Sequence, residues 1–142
     1  MCADVTTDAI KDASMLKQKE MIASNYDKIT SAPETGVKVS STFVPGNLNE
    51  LIMCFDMLNN TPETNAIQSG MRKQSGMFVM EAEKNGHSED VCTYVKCDLG
   101  MMKKGNLAPN GKRYPDPDLL LLCYTGCFTF MTGRNYKTLL WL

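Results

Sequence analysis

The sequence has no run of more than two basic residues, and its 15 basic and 16 acidic side chains give a formal net charge of -1. This balance excludes an obvious nucleic-acid-binding or membrane-binding surface. The longest apolar run, residues 119–124, is far too short to cross a bilayer. The polar, acidic start lacks the basic and apolar regions of a signal peptide, so we expect a cytoplasmic protein.

Common catalytic motifs are also absent: the sequence has no G-x-G-x-x-G, P-loop, G-x-S-x-G or C-x2-C pattern. The single histidine, His87, lies in an N-G-H-S stretch and is predicted to be a solvated or capping residue. Asp116 and Asp118, in P-D-P-D, are predicted to belong to a loop and to the start of a strand. That assignment is favoured over an acid/base pair.

The amino-terminal third predicts a helical segment followed by an α/β unit. Residues 8–29 have the thin apolar stripe of a surface helix, and the S-A-P-E-T-G stretch at 31–36 is predicted to be a linker. We therefore divide the chain into residues 1–36, a helical segment with its linker, and residues 37–142, a Rossmann-like domain.

Four elements are predicted in the first half of that domain. They are a β-branched strand at 37–44, a helix capped by Asn47 with an apolar face reaching Leu58, a short strand near 65–67, and a helix at 69–85 ended by Gly86.

Two helices, a long loop and a buried strand complete the predicted domain. Ser88 caps a helix that continues through Met102, and residues 103–118 form a loop of the length that usually serves a function. The apolar run at 119–124 predicts a strand buried on both faces of a parallel sheet, and Cys127 begins another helix. This order predicts an open, mainly parallel α/β sheet that binds ligands at the carboxyl ends of its strands.

Six cysteines without a secretory signal indicate reduced thiols rather than disulfides. On one helix, Cys92 and Cys97 lie ~140° apart around the axis, so at most one of them faces a given site. Cys92, in the first turn after the Ser88 cap, and Cys127, after the buried strand, both lie where helix N–H groups favour a thiolate. They can converge on an iron–sulfur cluster.

Packing is the competing interpretation for these thiols. Cys54 and Cys123 are predicted to be packing residues, and Cys2 a terminal thiol. On spacing alone, packing is also favoured over ligation for Cys92 and Cys127, because neither belongs to a C-x2-C pair.

Three stretches carry a family resemblance: STFVPGNLNELIMCF, EDVCTYVKCDLGMMKKGN and PDPDLLLLCYTGCFTFM. They resemble the amino-terminal region of the benzoyl-CoA reductase branch of the 2-hydroxyacyl-CoA dehydratase family, from about residue 8 to residue 131. The resemblance implies Rossmann-like domains and a [4Fe-4S] cluster held by three cysteines, two of which match Cys92 and Cys127. Cys97 matches no ligand.

The resemblance also implies an activity and its partners. It implies ATP-dependent, ferredoxin-driven reduction of the aromatic ring of benzoyl-CoA to a cyclic dienoyl-CoA. The implied partners are a second homologous catalytic subunit, an ATPase subunit pair and ferredoxin. Two alternatives stay open: a subunit that dehydrates a 2-hydroxyacyl-CoA, and a catalytically silent fragment.

Residues 132–142, TGRNYKTLLWL, do not resemble the family. We therefore expect an incomplete family fold, produced by a frameshift or a truncation, whose third cluster ligand would lie beyond residue 142. An early end would also leave the strand at 119–124 with little to cover it, exposing an apolar edge that favours aggregation. Resequencing the gene tests this hypothesis.

Overall fold

A four-stranded parallel sheet organises the structure, a computed structural model that describes residues 13–43, 46, 48–122 and 140–141. The strands are β1 (Val39–Thr42), β2 (Leu58–Asn60), β3 (Leu119–Leu122) and β4 (Leu140–Trp141), in the order β2-β1-β3-β4. The helices are α1 (Ala13–Thr35), α2 (Asn49–Met53), α3 (Pro62–Met71), α4 (Ser75–Lys84) and α5 (Thr93–Lys103). The open parallel sheet with its helices confirms the predicted Rossmann-like α/β class.

The strand order places a topological switch point beside β1. The chain leaves β1 to form β2 on one side, and β3 pairs with β1 on the other, with Ser40 opposite Leu119 and Thr42 opposite Leu121. In open parallel sheets, ligands bind outside the carboxyl ends of the two strands at such a point. The carboxyl ends of β1 and β3 are therefore the expected site edge.

Strand β3 has neighbours on both sides, because β4 pairs with it in parallel register. Leu140 and Trp141, from the tail at 132–142, supply this neighbour. The prediction that β3 would present an exposed edge is therefore wrong. The other predicted features of residues 123–139, among them the helix beginning at Cys127, lie outside the described residues.

Helix α1 is longer than predicted, and the linker predicted at 31–36 is wrong. The helix continues through Pro33 to Thr35 and ends where Gly36 adopts a φ of 73°. The Gly36 N–H donates to the Ala32 carbonyl over 2.9 Å, which closes the last turn. Pro33 has no N–H to donate to the carbonyl of the preceding turn, but only Glu34 and Thr35 follow it in the helix, so the loss is confined to the last turn. The proposed division of the chain at residue 36 stays a prediction.

The second strand is not where the sequence predicted it. Helix α2 has only five residues, and Leu58, expected on its apolar face, begins β2 opposite Val39. The strand predicted near 65–67 is wrong, because those residues belong to α3, which begins at Pro62. Proline fits the first turn of a helix, where its missing N–H is not needed. The predicted Asn47 cap lies outside the described residues.

Two helices replace the single helix predicted at 69–85. Between α3 and α4, Lys73 adopts a φ of 57°, and its N–H donates to Gly70 O over 2.9 Å. The Gln74 N–H donates to Ser69 O over 2.8 Å, so the break is a closed turn. Lysine carries no turn signal, which explains why the sequence did not predict it. Gly86, with a φ of 89°, ends α4 as predicted.

Helix α5 is buried on every side. Seven consecutive residues from Val95 to Met101 are buried, mainly against α4 and α3. One core cluster joins Phe43, just after β1, to α4 and α5, and a second joins α3, α4 and α5. A third joins α1 to β1 and the loop at 103–118. No described helix has the length and apolar character needed to cross a membrane.

The predicted loop at 103–118 is confirmed, and it is anchored to the core by Tyr114. This side chain is 8% exposed, and its hydroxyl donates to Asn65 Oδ1 over 2.8 Å. Its ring centroid lies 6.0 Å from that of Tyr26. The loop is therefore part of the packed structure.

We expect Tyr114→Phe to lower the free energy of unfolding by about 1–3 kcal/mol, because it leaves the buried Asn65 Oδ1 without its donor. Urea denaturation measures this change. Tyr94→Phe is the matched control, since Tyr94 is 44% exposed and should tolerate the loss of its hydroxyl. Equal stability of the two variants would contradict the buried hydrogen bond.

Candidate functional site

Cys92 is the N-cap residue of α5, with φ -45° and ψ 130°. The prediction that it lies in the first turn of a helix capped by Ser88 is wrong. Ser88 instead closes a local turn, where its Oγ accepts from Asp90 N over 3.2 Å and its carbonyl accepts from Val91 N over 3.2 Å. The helix therefore begins at Thr93, and Cys92 lies at the helix end where free N–H groups attract negative charge.

Cys92 is connected to the carboxyl end of β1 through the core residue that precedes it. Its neighbour Val91 is 7% exposed and packs in one cluster with Phe43, which follows β1 directly. The Cys92 side chain is exposed and is a free thiol among the described cysteines. Cys127 lies outside the described residues, in the sequence that follows the carboxyl end of β3. The convergence of Cys92 and Cys127 stays a prediction, and the placement of Cys92 agrees with it.

Cys97 packs in the core, in agreement with the helical spacing that separates it from Cys92. It is 1% exposed, and its Sγ lies 3.8 Å from both Ser69 Oγ and Ser75 O. Burial raises the pKa of this thiol. A buried neutral thiol is inert, so Cys97 cannot join Cys92 at a surface site.

Cys54 is exposed at the carboxyl end of α2, so the prediction that it packs in the core is wrong. The cause is the shortness of α2, which buries only Ile52. Cys2 and Cys123 lie outside the described residues.

The other sequence candidates have structural roles. The His87 N–H donates to Ala82 O over 3.3 Å at the end of α4, in agreement with the predicted capping role. Asp116 accepts from Asn106 Nδ2 over 2.8 Å. Asp118 accepts from Val39 N over 2.9 Å and Lys38 Nζ over 2.7 Å, and hydrogen bonding to Lys38 lowers the pKa of Asp118. The two carboxylates have separate partners, which confirms the predicted loop and strand-start roles.

Sequence reasoning missed two buried charged residues on α5. Lys96 is 5% exposed, and its Nζ donates to Glu83 Oε1 over 2.7 Å and to Glu89 O over 2.8 Å. Asp98 is 4% exposed, and its Oδ2 has no hydrogen-bond partner among the described residues. Burial raises the pKa of Asp98 to about 7. Neither residue carries a sequence signal for its burial, because lysine and aspartate are rarely buried completely.

A small cavity adjoins Asp98. It has a volume of about 20 Å³ and is lined by Asn60, Met101, Met102, Asn106 and Tyr114, together with Pro115 and Pro117. A space of this size accommodates one water molecule. It is too small for an acyl-CoA, so it is not a substrate pocket.

Cys92 has the chemistry and exposure of a cluster ligand, because thiolates are the usual protein ligands of iron–sulfur clusters. Within residues 13–43, 46, 48–122 and 140–141, no group of three or more His, Cys, Asp or Glu side chains forms a metal site. Of the two predicted cluster ligands, the described residues contain only Cys92, so cluster binding stays a prediction.

Comparisons with known proteins show two enzyme subunits that the chain resembles. Over 131 residues, 92% of this chain, the sequence is 72% identical to the B subunit of benzoyl-CoA reductase from Thauera aromatica. Over 110 residues, 76% of this chain, it is 30% identical to the (R)-2-hydroxyisocaproyl-CoA dehydratase alpha subunit of Clostridioides difficile. The sequence therefore resembles a subunit of each of these two enzymes. The expected resemblance is confirmed.

The chain spans 30% of the length of the first of these relatives and 26% of the second. Of the two, the benzoyl-CoA reductase protein is far more similar, which agrees with the branch that the sequence motifs indicated. No protein-family model matches the chain.

Proposed function

We propose that the chain forms the Cys92-bearing part of a benzoyl-CoA reductase subunit. The 72% identity to the B subunit of that enzyme is the observation that carries the proposal. The reaction is the ATP-dependent, ferredoxin-driven reduction of the aromatic ring of benzoyl-CoA to a cyclic dienoyl-CoA. Its partners are a second homologous catalytic subunit, an ATPase subunit pair and ferredoxin, all in the cytoplasm.

In this proposal Cys92 and Cys127 bind a [4Fe-4S] cluster, which supplies single electrons at low potential when bound. Cys92 contributes an exposed thiol from a backbone fixed by the start of α5 and by buried Val91. Val91 shares a core cluster with Phe43, which follows β1, and this fold class binds ligands at the carboxyl ends of its strands. Cys127 follows the adjacent strand β3 in sequence, which supports a shared centre.

A subunit of a 2-hydroxyacyl-CoA dehydratase is the second candidate, favoured by the 30% identity to the 2-hydroxyisocaproyl-CoA enzyme. Product analysis of the assembled complex with benzoyl-CoA and with a 2-hydroxyacyl-CoA separates the two activities. A chain that binds no cluster would support the third alternative, a catalytically silent fragment.

Anaerobic reconstitution of the purified chain with iron and sulfide tests cluster binding. We expect a brown protein, and we expect Cys92→Ser and Cys127→Ser each to reduce bound iron at least about tenfold, because each removes a thiolate ligand. Iron analysis and visible absorbance provide the measurements.

Two control variants exclude unspecific binding. Cys54→Ser removes a second exposed thiol, and Cys97→Ser removes a buried one on the same helix as Cys92. We expect both variants to keep the iron content of the unmodified chain. A colourless unmodified chain, or equal iron loss in Cys54→Ser and Cys92→Ser, would contradict the proposed ligands.

A further inference from the structure

Lys96 connects three parts of the structure around Cys92. Its Nζ, at 6% side-chain exposure, donates to Glu83 Oε1 in the last turn of α4 and to Glu89 O in the following turn. The Lys96 backbone N–H also donates to Cys92 O over 3.0 Å, as the first hydrogen bond of α5. One buried residue thus holds α4, the segment before Cys92 and Cys92 itself.

The segment between α4 and Cys92 has few other anchors. His87 N and Val91 N form backbone hydrogen bonds, and the Val91 side chain is buried, whereas Ser88, Glu89 and Asp90 are exposed. The Glu89 carbonyl is therefore held in place by its hydrogen bond from the buried Lys96 ammonium. A hydrogen bond from a charged donor is stronger than one between neutral groups.

We propose that Lys96 is a positioning residue for Cys92. Its ammonium holds the Glu89 carbonyl, and with it the backbone before Cys92, so that the thiol stays at the start of α5. The part of this inference that concerns cluster binding rests on the proposed function. Metal ligands depend on surrounding hydrogen bonds to fix their orientation. The Glu83 carboxylate neutralises the buried charge of Lys96. The hydrogen bond from Lys96 to the Glu89 carbonyl is the contact that positions Cys92.

The two contacts of Lys96 can be separated by mutation. Glu83→Gln removes the ion pair but leaves the Lys96 ammonium and its bond to Glu89 O. Lys96→Met removes both contacts and keeps the apolar stem, while Lys96→Arg keeps a charged donor. A stability role alone predicts that Glu83→Gln and Lys96→Met behave alike, whereas a positioning role predicts that only Lys96→Met affects Cys92.

The measurement is the alkylation rate of Cys92 relative to Cys54 in the same iron-free chain, by iodoacetamide labelling and peptide mass spectrometry. Cys54 is the internal reference because it is also exposed. We expect Lys96→Met to lower the ratio at neutral pH by about threefold or more, because the released backbone no longer presents the thiol at the exposed start of α5. Lys96→Arg should restore at least half of the ratio, and Glu83→Gln should leave it unchanged.

Iron loading of the same variants gives a second readout, which should fall in Lys96→Met and recover in Lys96→Arg. If the unmodified chain binds no cluster, the proposed function fails, but the alkylation ratio still tests the positioning role. An unchanged ratio in folded Lys96→Met overturns the inference, as does an equal decrease in Glu83→Gln. If Lys96→Met does not fold, Lys96→Gln replaces it under the same criteria.

Discussion

Replacing Gly100 with alanine is expected to destabilise the chain by at least about 3 kcal/mol or to prevent folding. A Cβ at this position would lie 2.0 Å from the Phe78 carbonyl oxygen and 2.6 Å from its carbon. These are backbone atoms of α4, so the clash cannot be relieved by a rotamer change. Helices α4 and α5 would have to separate, which opens the two core clusters that they share.

Gly70→Ala is the matched control for this substitution. Gly70 is also helical, but no atom lies within 4 Å of the position that its Cβ would occupy. Alanine there should stabilise α3 by up to about 1 kcal/mol, because it restricts the unfolded backbone. Circular dichroism during urea titration measures both variants, and a stable Gly100→Ala chain would contradict the close approach of α4 and α5.

The second large effect is expected from Asp98→Asn, which should stabilise the chain at alkaline pH. Burial raises the pKa of Asp98 from 3.8 to about 7 in the folded chain. Between these pH values the folded state binds more protons than the unfolded state, so the free energy of unfolding falls as pH rises from about 4 through about 7. The full difference corresponds to about 4 kcal/mol at 1.36 kcal/mol per pH unit.

An asparagine carries no charge at any of these pH values, so Asp98→Asn removes the loss of stability that ionisation of Asp98 causes. The stability difference between Asp98→Asn and the unmodified chain should therefore be small near pH 4 and grow until about pH 7. Burial, and to a smaller extent the charge of Asp98, raises the pKa of Cys97 and of Tyr114, so both neighbours stay neutral across this pH range. A constant difference across the series would show that Asp98 does not titrate on folding.

The sequence predicted those elements whose composition is decisive. Val39–Thr42 lies in a β-branched stretch and Leu119–Leu122 in an apolar run, and both form strands. The three residues of β2 carry no such pattern, because their strand conformation comes from pairing with β1. The sequence also did not predict the break between α3 and α4, because Lys73 adopts its left-handed conformation without a glycine or asparagine signal.

The candidate site could be predicted only in part. Helical spacing separated Cys92 from Cys97, and the structure buries Cys97 while exposing Cys92. The contacts of Lys96 could not be predicted from the sequence, because Glu83 and Glu89 approach it through the packing of α4 against α5. Tertiary contacts of this kind have no periodicity along the chain, so no local pattern reveals them.

The position of β1 in the sheet also governs the order in which the chain can assemble. Synthesis supplies β2 soon after β1, but β3 emerges only after α3, α4, α5 and the following loop. Until then one side of β1 has unpaired N–H and C=O groups, the kind of edge that recruits strands from other chains. The residues Val-Ser-Ser-Thr make this temporary edge short and polar. Such an edge pairs poorly with strands of other chains, which protects the growing chain until the leucine-rich strand β3 is synthesised.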